Sequence, residues 1–333
     1  MRQSLQERCE AQIRNEAVLR KGHPLEFESL IKLAALMYSN AGREVDPERV
    51  KECKRILKDE VGFFSNFRGH MQYLVQVKMS LADDPRAYLE GVLGVYEQLK
   101  AGLFLPGELV AMAAMTIYEN CPPEALEEVV AKTREAYAMI KEKHRFLTGE
   151  EDMALIALMV MAGIDPSQAA AKAEELYAIL KGSFLPGSDT PQAAAMILAL
   201  TDRPAEQKAE EYLGLFDACK KAGHATSKDK AAAIYAAFEG LDVDRAELVV
   251  EIGEVDDWLK RQKGYGPFGT GASIRRLFAA THVLEDRQES TAAIVSGTTS
   301  AVAQAIVEEL LIILITIIIT SIVVSSIASS SHN

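Results

Sequence analysis

The stretch closest to a known chemical pattern is Gly264-Tyr265-Gly266-Pro267-Phe268-Gly269-Thr270-Gly271, which contains G-x-G-x-x-G and is followed by Arg275 and Arg276. Glycines at this spacing let backbone amides approach a pyrophosphate, and that chemistry needs a strand before the turn and a βαβ unit around it. Here the charged segment Asp257-Trp258-Leu259-Lys260-Arg261 comes first, so the context is that of a connector between helices. A weaker use survives. Free amides near Ala272, where the next helix begins, can hold an anion, with Gly269, Gly271, Arg275 and Arg276 as the residues around it.

A second segment, Phe63-Phe64-Ser65-Asn66-Phe67-Arg68-Gly69-His70, places a cation and an imidazole in an aromatic-rich turn. Turns held by a rigid scaffold are where binding residues concentrate. Phe64, Phe67, Arg68 and His70 are therefore the candidate ligand-binding set, the alternative being an N-terminal variant of a repeated turn. The six histidines are scattered singly, with no H-E-x-x-H and no paired Cys/His spacing, so no metal and no cofactor are expected. His144 and His224 fall on equivalent turns, which is the one arrangement that stacking would bring into register. Glu150-Glu151-Asp152 has the form of a carboxylate pair but fits helix-start chemistry better: Thr148 can cap, Glu151 stands at capping-box spacing, and acids favour the positive end of the dipole. G-x-S-x-G, a P-loop and a local Cys-His pairing are all missing, so no catalytic residue can be named.

The elements that would position these residues follow from a repeat. Asp46-Pro47, Asp84-Pro85, Pro122-Pro123, Asp165-Pro166, Arg203-Pro204 and a degenerate Asp244-Arg245 recur with second residues 38, 38, 43, 38 and 41 positions apart. Aspartate accepts hydrogen bonds from free amides at an N-cap, and proline at the first helical position gives up an amide that had no partner. Each dipeptide therefore starts a helix. An aromatic follows (Tyr96, Tyr137, Tyr177, Phe216, Trp258), read as inter-helix packing in preference to a ligand lining, and then a turn such as Ala101-Gly102 or Ala222-Gly223. Phe104-Leu105-Pro106-Gly107, Phe146-Leu147-Thr148-Gly149 and Phe184-Leu185-Pro186-Gly187 lead into second helices that are apolar nearly all round, as in Val110-Ala111-Met112-Ala113-Ala114-Met115. A helix without a polar face must be covered on several sides. The first helices form an outer layer and the second an inner one. The expectation is an all-α fold of close to fourteen helices, built from α-helical hairpin repeats of about 40 residues that form an α/α superhelix or solenoid.

Taken together, the Phe63-Phe64-Ser65-x-Phe67-Arg68-Gly69 turn, the Leu81-Ala82-Asp83-Asp84-Pro85 junction, the Tyr96-x-x-Leu99-Lys100 helix end and the Phe146-Leu147-Thr148 turn resemble a bacterial family catalogued as domain of unknown function 4003, found mainly in Gram-positive bacteria. The likeness runs over residues 20 to 330. It implies an intracellular helical protein without an established activity, and it carries over no catalytic residues. The family as resembled ends in an Ala/Ser-rich apolar tail, from which the Ile-rich tail of this chain departs.

Charge and composition restrict the function classes. With 48 acids against 36 bases and a net charge of -12, the chain lacks the Lys/Arg stripe that phosphate neutralisation requires, so no nucleic acid partner is expected. Cys9, Cys53, Cys121 and Cys219 read as reduced thiols of a cytosolic protein. The first eight residues, Met1 to Arg8, show no apolar h-region, so no secretory signal is expected. After Arg287 there is no Lys or Arg, and Leu310 to Ala328 are 19 uncharged residues, thirteen of them Leu, Ile or Val. At 1.5 Å per helical residue that run reaches across a thin hydrocarbon core. It lacks flanking basic and aromatic anchors, which favours instead a helix that docks on the body or drives self-association. The expected organisation is a repeat domain over 1–287 and an apolar tail over 288–333. The expected function is a non-enzymatic scaffold for a protein or peptide partner in the cytoplasm. The alternatives are an α/α-repeat enzyme or small-molecule binder with its site in the concave surface, and either form tethered to the inner face of the cytoplasmic membrane through 310–328.

Overall fold

The computed structural model describes residues 1–292, apart from 25, 63–64, 69–71, 104–105, 144–148, 151, 186–189, 202, 242 and 267–268. The apolar run 310–328 lies outside the described residues, as do Phe64 and His70. Among the described residues the chain is all-helical, with fourteen α-helices and no strand. They are α1 (Gln3–Gly22), α2 (Glu28–Asn40), α3 (Pro47–Glu60), α4 (Gln72–Leu81), α5 (Pro85–Leu99), α6 (Glu108–Asn120) and α7 (Leu126–Lys143). The second half continues with α8 (Asp152–Met161), α9 (Pro166–Leu180), α10 (Thr190–Leu198), α11 (Ala205–Lys221), α12 (Lys228–Ala236), α13 (Arg245–Lys260) and α14 (Ala272–Ala292).

The Asp-Pro dipeptides act as their chemistry dictates. Asp46 accepts from the amides of Glu48 and Arg49 at 3.0 and 3.3 Å, Asp84 from Arg86 and Ala87 at 2.9 and 3.1 Å, and Asp165 from Ser167 and Gln168 at 2.9 and 3.2 Å. In all three the proline opens the helix. Asp244 caps α13 without a proline, through Ala246 at 2.7 Å. The two dipeptides that lack aspartate behave differently. Pro123 begins a 3-10 turn ahead of α7, and Pro204 occupies the N-cap of α11, where it has no side-chain acceptor to offer.

The two helix classes also separate as their patterns require. Odd-numbered helices bury one stripe, such as Tyr88, Leu89, Val92, Val95, Tyr96 and Leu99 on α5. Even-numbered helices are covered all round: every residue of α6 from Val110 to Ile117 is buried, and every residue of α8 from Asp152 to Val160. Each fully buried Met, Leu, Ile or Val contributes about 1.5–3 kcal/mol, and the alanines between them let neighbouring helices approach closely. Gly102 and Gly223, with φ of 85° and 88°, make the reversals from odd to even helix that a Cβ would strain.

Contacts run along both layers. Each odd-numbered helix packs on the next odd-numbered one from α1 to α13; in the even layer α2 packs on α4, and α6, α8, α10, α12 and α14 pack in succession. The first hairpin also meets the last, because α1 packs on α13 and α14. That seam carries charged contacts. Arg2 reaches Glu251 and Asp286 at 2.6 Å, Arg287 reaches Glu251 at 2.6 Å, and Asn40 Nδ2 donates to Glu285 at 2.7 Å.

Candidate functional site

The G-x-G-x-x-G segment explains itself through its own geometry. The Gly264 carbonyl accepts from the Thr270 amide at 3.0 Å, from Thr270 Oγ1 at 3.1 Å and from Lys32 Nζ at 2.9 Å. A Cβ on Gly269 would stand 2.0 Å from that carbonyl oxygen, so a side chain there would force the loop apart. Gly271 holds φ at 78°. Both arginines after the loop turn toward the protein. Arg275 Nε donates to Asp256 Oδ1 at 2.6 Å and its Nη1 to the Tyr265 carbonyl at 3.0 Å. Arg276 Nε donates to Asp256 Oδ2 at 3.1 Å, and its Nη atoms donate to the carbonyls of Gly223 and Ala225 in the turn before α12.

That turn contributes His224, whose Nδ1 lies 2.8 Å from Asp256 Oδ2. Burial pushes the Asp256 carboxyl up, but hydrogen bonds from Arg275, His224 and Arg276 outweigh it and hold the group below its usual range. Gly253 on α13 makes room for the imidazole, since a Cβ there would be 2.8 Å from Nε2. His224, Asp256 and Asp257 bring one ligand atom each within 4.8 Å of one another. The two guanidiniums on Asp256 repel a divalent cation, so the group fits an ion-pair knot that ties the last two hairpins together better than a metal centre. Sequence spacing singled out Arg275 and Arg276 but not Asp256, their partner one helix earlier.

Phe67 is fully buried, with its ring edge-on to Tyr96 at 5.2 Å. Arg68 donates to the Val61 carbonyl at 3.2 Å, within its own connection. The acids before α8 serve structure: Glu150 accepts from the Gly107 amide of the previous hairpin at 2.7 Å, and Asp152 accepts from the amide of Gly149 at 3.1 Å and from Gln192 at 2.9 Å. All four cysteines are buried and reduced. Burial pushes the Cys9 thiol up to about 12 and Cys53 up to about 11, so neither is a nucleophile at neutral pH.

A polar network that the sequence did not announce lies between the first and last hairpins. Lys32 is completely buried on α2, 4.5 Å from the centre of the Tyr265 ring and paired with Glu28. Gln12 of α1 donates to Tyr265 Oη at 2.9 Å and to the Lys32 carbonyl at 3.2 Å, and its Oε1 pairs with His282 Nε2 of α14. Burial, with Arg8 nearby, pulls His282 down to about 3, so its imidazole is neutral.

A cavity of about 580 Å³ lies at the opposite end of the even-numbered helices. The C-terminal residues of α2, α4 and α6 form its wall, together with the starts of α5 and α7 and with Glu285 of α14. Its apolar surface comes from Met37, Leu81, Tyr118 and Leu126. Its polar groups are Lys78, Glu119, Tyr88, Asn40 and Glu285. Lys78 Nζ and Tyr88 Oη both donate to Glu119, one to each oxygen. The Tyr118 ring lies on Gly91 of α5, where a Cβ would come within 2.2 Å of it, and it meets Tyr88 edge-on at 5.6 Å. One signal in the sequence pointed here: Lys78 is the one charged residue of the inner helix α4.

Among the described residues no helix is long and apolar enough to cross a membrane. A family model described as protein of unknown function (DUF4003) matches residues 23–321. Neither the curated proteins nor the solved structures gave a match.

Proposed function

The chain belongs to the DUF4003 family of proteins of unknown function, and from that premise we propose that it is a non-enzymatic helical-repeat binding protein, seven α-hairpins wound into an α/α superhelix whose ends meet. The succession of odd–odd contacts and the packing of α1 on α13 and α14 support the closed arrangement. The observation that carries the binding role is the 580 Å³ cavity, whose size falls within the range of ligand sites and whose wall combines apolar surface with a few convergent polar groups. A peptide segment or one projecting side chain of a protein partner fills such a space. The catalytic alternative has the His224–Asp256 pair as its specific observation. A general base needs a reacting group within reach of the imidazole Nε2, and that nitrogen lies against α13 at Gly253, where even a Cβ would come within 2.8 Å of it.

The test is a thermal-shift screen of the full chain against short peptides and metabolites, run beside Ala82→Trp, which places an indole in the cavity. A ligand that binds only the native state raises the melting temperature by mass action. The expected result is a hit that stabilises the wild type and leaves Ala82→Trp unmoved. A hit that stabilises both to the same extent puts the binding surface elsewhere and sinks the assignment.

A further inference from the structure

A second pocket, of about 290 Å³, lies among α11, α12 and α13 and shares no residue with the 580 Å³ cavity. Its charged groups are two guanidiniums, Arg203 and Arg245, and two carboxylates, Glu211 of α11 and Glu239 of the 3-10 turn that follows α12. Arg203 belongs to the Arg203-Pro204 dipeptide, at the place where three other repeats carry a capping aspartate. The exchange deprives α11 of its cap, since Pro204 holds the N-cap without a side-chain acceptor. A local rule broken inside an otherwise regular repeat points to a side chain with another task. Arg203 Nη1 donates to Glu239 at 2.9 Å and Nη2 to Glu211 at 2.6 Å.

Arg245 stands apart from this triad. It is exposed at the start of α13, and among the described residues its guanidinium has no hydrogen bond and no ion pair. Gly214 of α11 gives it room, because a Cβ there would stand 2.5 Å from Nη1. Its charge is felt at Glu211 all the same: the hydrogen bond from Arg203 holds that carboxyl below its usual range, and Arg245 adds to the pull. Burial pushes the Glu239 carboxyl up, against the pull of Arg203. The hydrogen bonds to Glu211, from Arg203 and Gln207, both go to Oε1, as does the one to Glu239. Among the described residues each carboxylate therefore keeps Oε2 for a further donor. Arg203 with its two carboxylates carries one net negative charge, and Arg245 beside them one positive charge. A lone anion gains from Arg245 but is repelled by the triad, a lone amine meets the reverse, and a metal ion faces two guanidiniums. A ligand that carries both signs on neighbouring atoms gains from both. Leu241 and Val243, half-buried in the connection to α13, give the pocket an apolar side, and its volume lies near the lower end of small-molecule sites.

We infer that this pocket binds an α-amino acid with an apolar side chain, Arg245 donating to the carboxylate, Glu211 Oε2 and Glu239 Oε2 accepting from the ammonium, and Leu241 and Val243 covering the side chain. The assignment stands whether or not the larger cavity binds a ligand. Full-length protein is titrated calorimetrically with L-leucine, L-valine and L-phenylalanine. The tightest of them is then compared with the acid that lacks its amino group and the amine that lacks its carboxylate, for leucine 4-methylpentanoate and 3-methylbutylamine. Arg245→Gln, Glu211→Gln and Ala82→Trp are titrated alongside. At least one amino acid is expected to give saturable heat, with both of its halves weaker by about tenfold or more. Arg245→Gln should weaken the amino acid by about tenfold or more and leave the amine unchanged, whereas Glu211→Gln should weaken the amino acid and leave the acid no weaker. A half that binds as tightly as the whole overturns the zwitterion. Binding that Arg245→Gln leaves unchanged overturns this pocket, and its loss in Ala82→Trp moves the ligand to the larger cavity. No saturable heat from any of the three amino acids overturns the inference outright.

Discussion

The Asp256 knot and the cavity both gather charged residues from several helices, yet one is filled by its own contacts and the other surrounds open space among the described residues. At the knot, Asp256 accepts from Arg275, Arg276 and His224, and the arginines' remaining contacts run to backbone carbonyls of the adjoining turns. At the cavity, the polar groups stand around 580 Å³ of space. Charge density alone does not mark a functional site. A cluster whose donors and acceptors answer one another holds the fold together, and a candidate site is a volume that such contacts leave unfilled among the described residues.

The knot side of that contrast is broken most severely by Asp256→Ala, which leaves the nearly buried Arg275 guanidinium without a counter-charge. Removing one member of a buried ion pair costs about 3–5 kcal/mol. Urea unfolding should show a loss of that order, together with early exposure of the last two hairpins in hydrogen exchange. A loss no greater than that of an exposed ion pair would show the knot to be dispensable.

A second expectation concerns acid. His282 is held neutral, with its folded pKa pulled from an ordinary 6.5 to about 3. Below the ordinary value the unfolded chain takes up a proton that the folded chain refuses, so stability falls as pH drops from 6.5 toward 3, by about 1.4 kcal/mol per pH unit for this one group. Asp256 adds to the acid loss, because a carboxyl held below its usual range stabilises above that range and ceases to do so as pH falls through its folded pKa. His282→Gln should flatten the slope of unfolding free energy between pH 6 and pH 4, roughly the window set by one histidine. An unchanged slope would show that the seam opens to water before the histidine titrates.

The smallest effect sharpens the cavity side. Gly91→Ala puts a Cβ within 2.2 Å of the Tyr118 ring, which must shift within the cavity wall. Overpacking of this kind costs about 1–3 kcal/mol, and the affinity of any cavity ligand should change with it. Gly62→Ala, where a Cβ meets nothing within 4 Å, serves as the control for affinity. Equal affinities in the two variants would remove Tyr118 from the binding wall.

Much of the fold was legible because it rests on local chemistry. Asp46, Asp84, Asp165 and Asp244 cap the helices that their spacing implied, and the apolar runs at 110–117 and 153–160 are buried on every side. Where the local signal was weaker, local structure departed from it, as at Pro123 and Pro204. The candidate site was much less legible. Arg275 and Arg276 were visible as adjacent cations beside glycines, but what they bind is Asp256, 19 and 20 residues earlier on another helix. Lys78 and Glu119 are 41 residues apart, one repeat, and the Asn40–Glu285 pair is separated by 245 residues.

The sequence by itself determined the helix starts, the division into amphipathic and all-apolar helices and the family, since capping and periodicity are written within a few residues of where they act. Only the tertiary structure decided which charges neutralise each other and where space remains. Both depend on first and last hairpins meeting, and on helix ends converging from distant repeats, and no spacing along the chain encodes the distance between two helices that pack only after the whole set has folded.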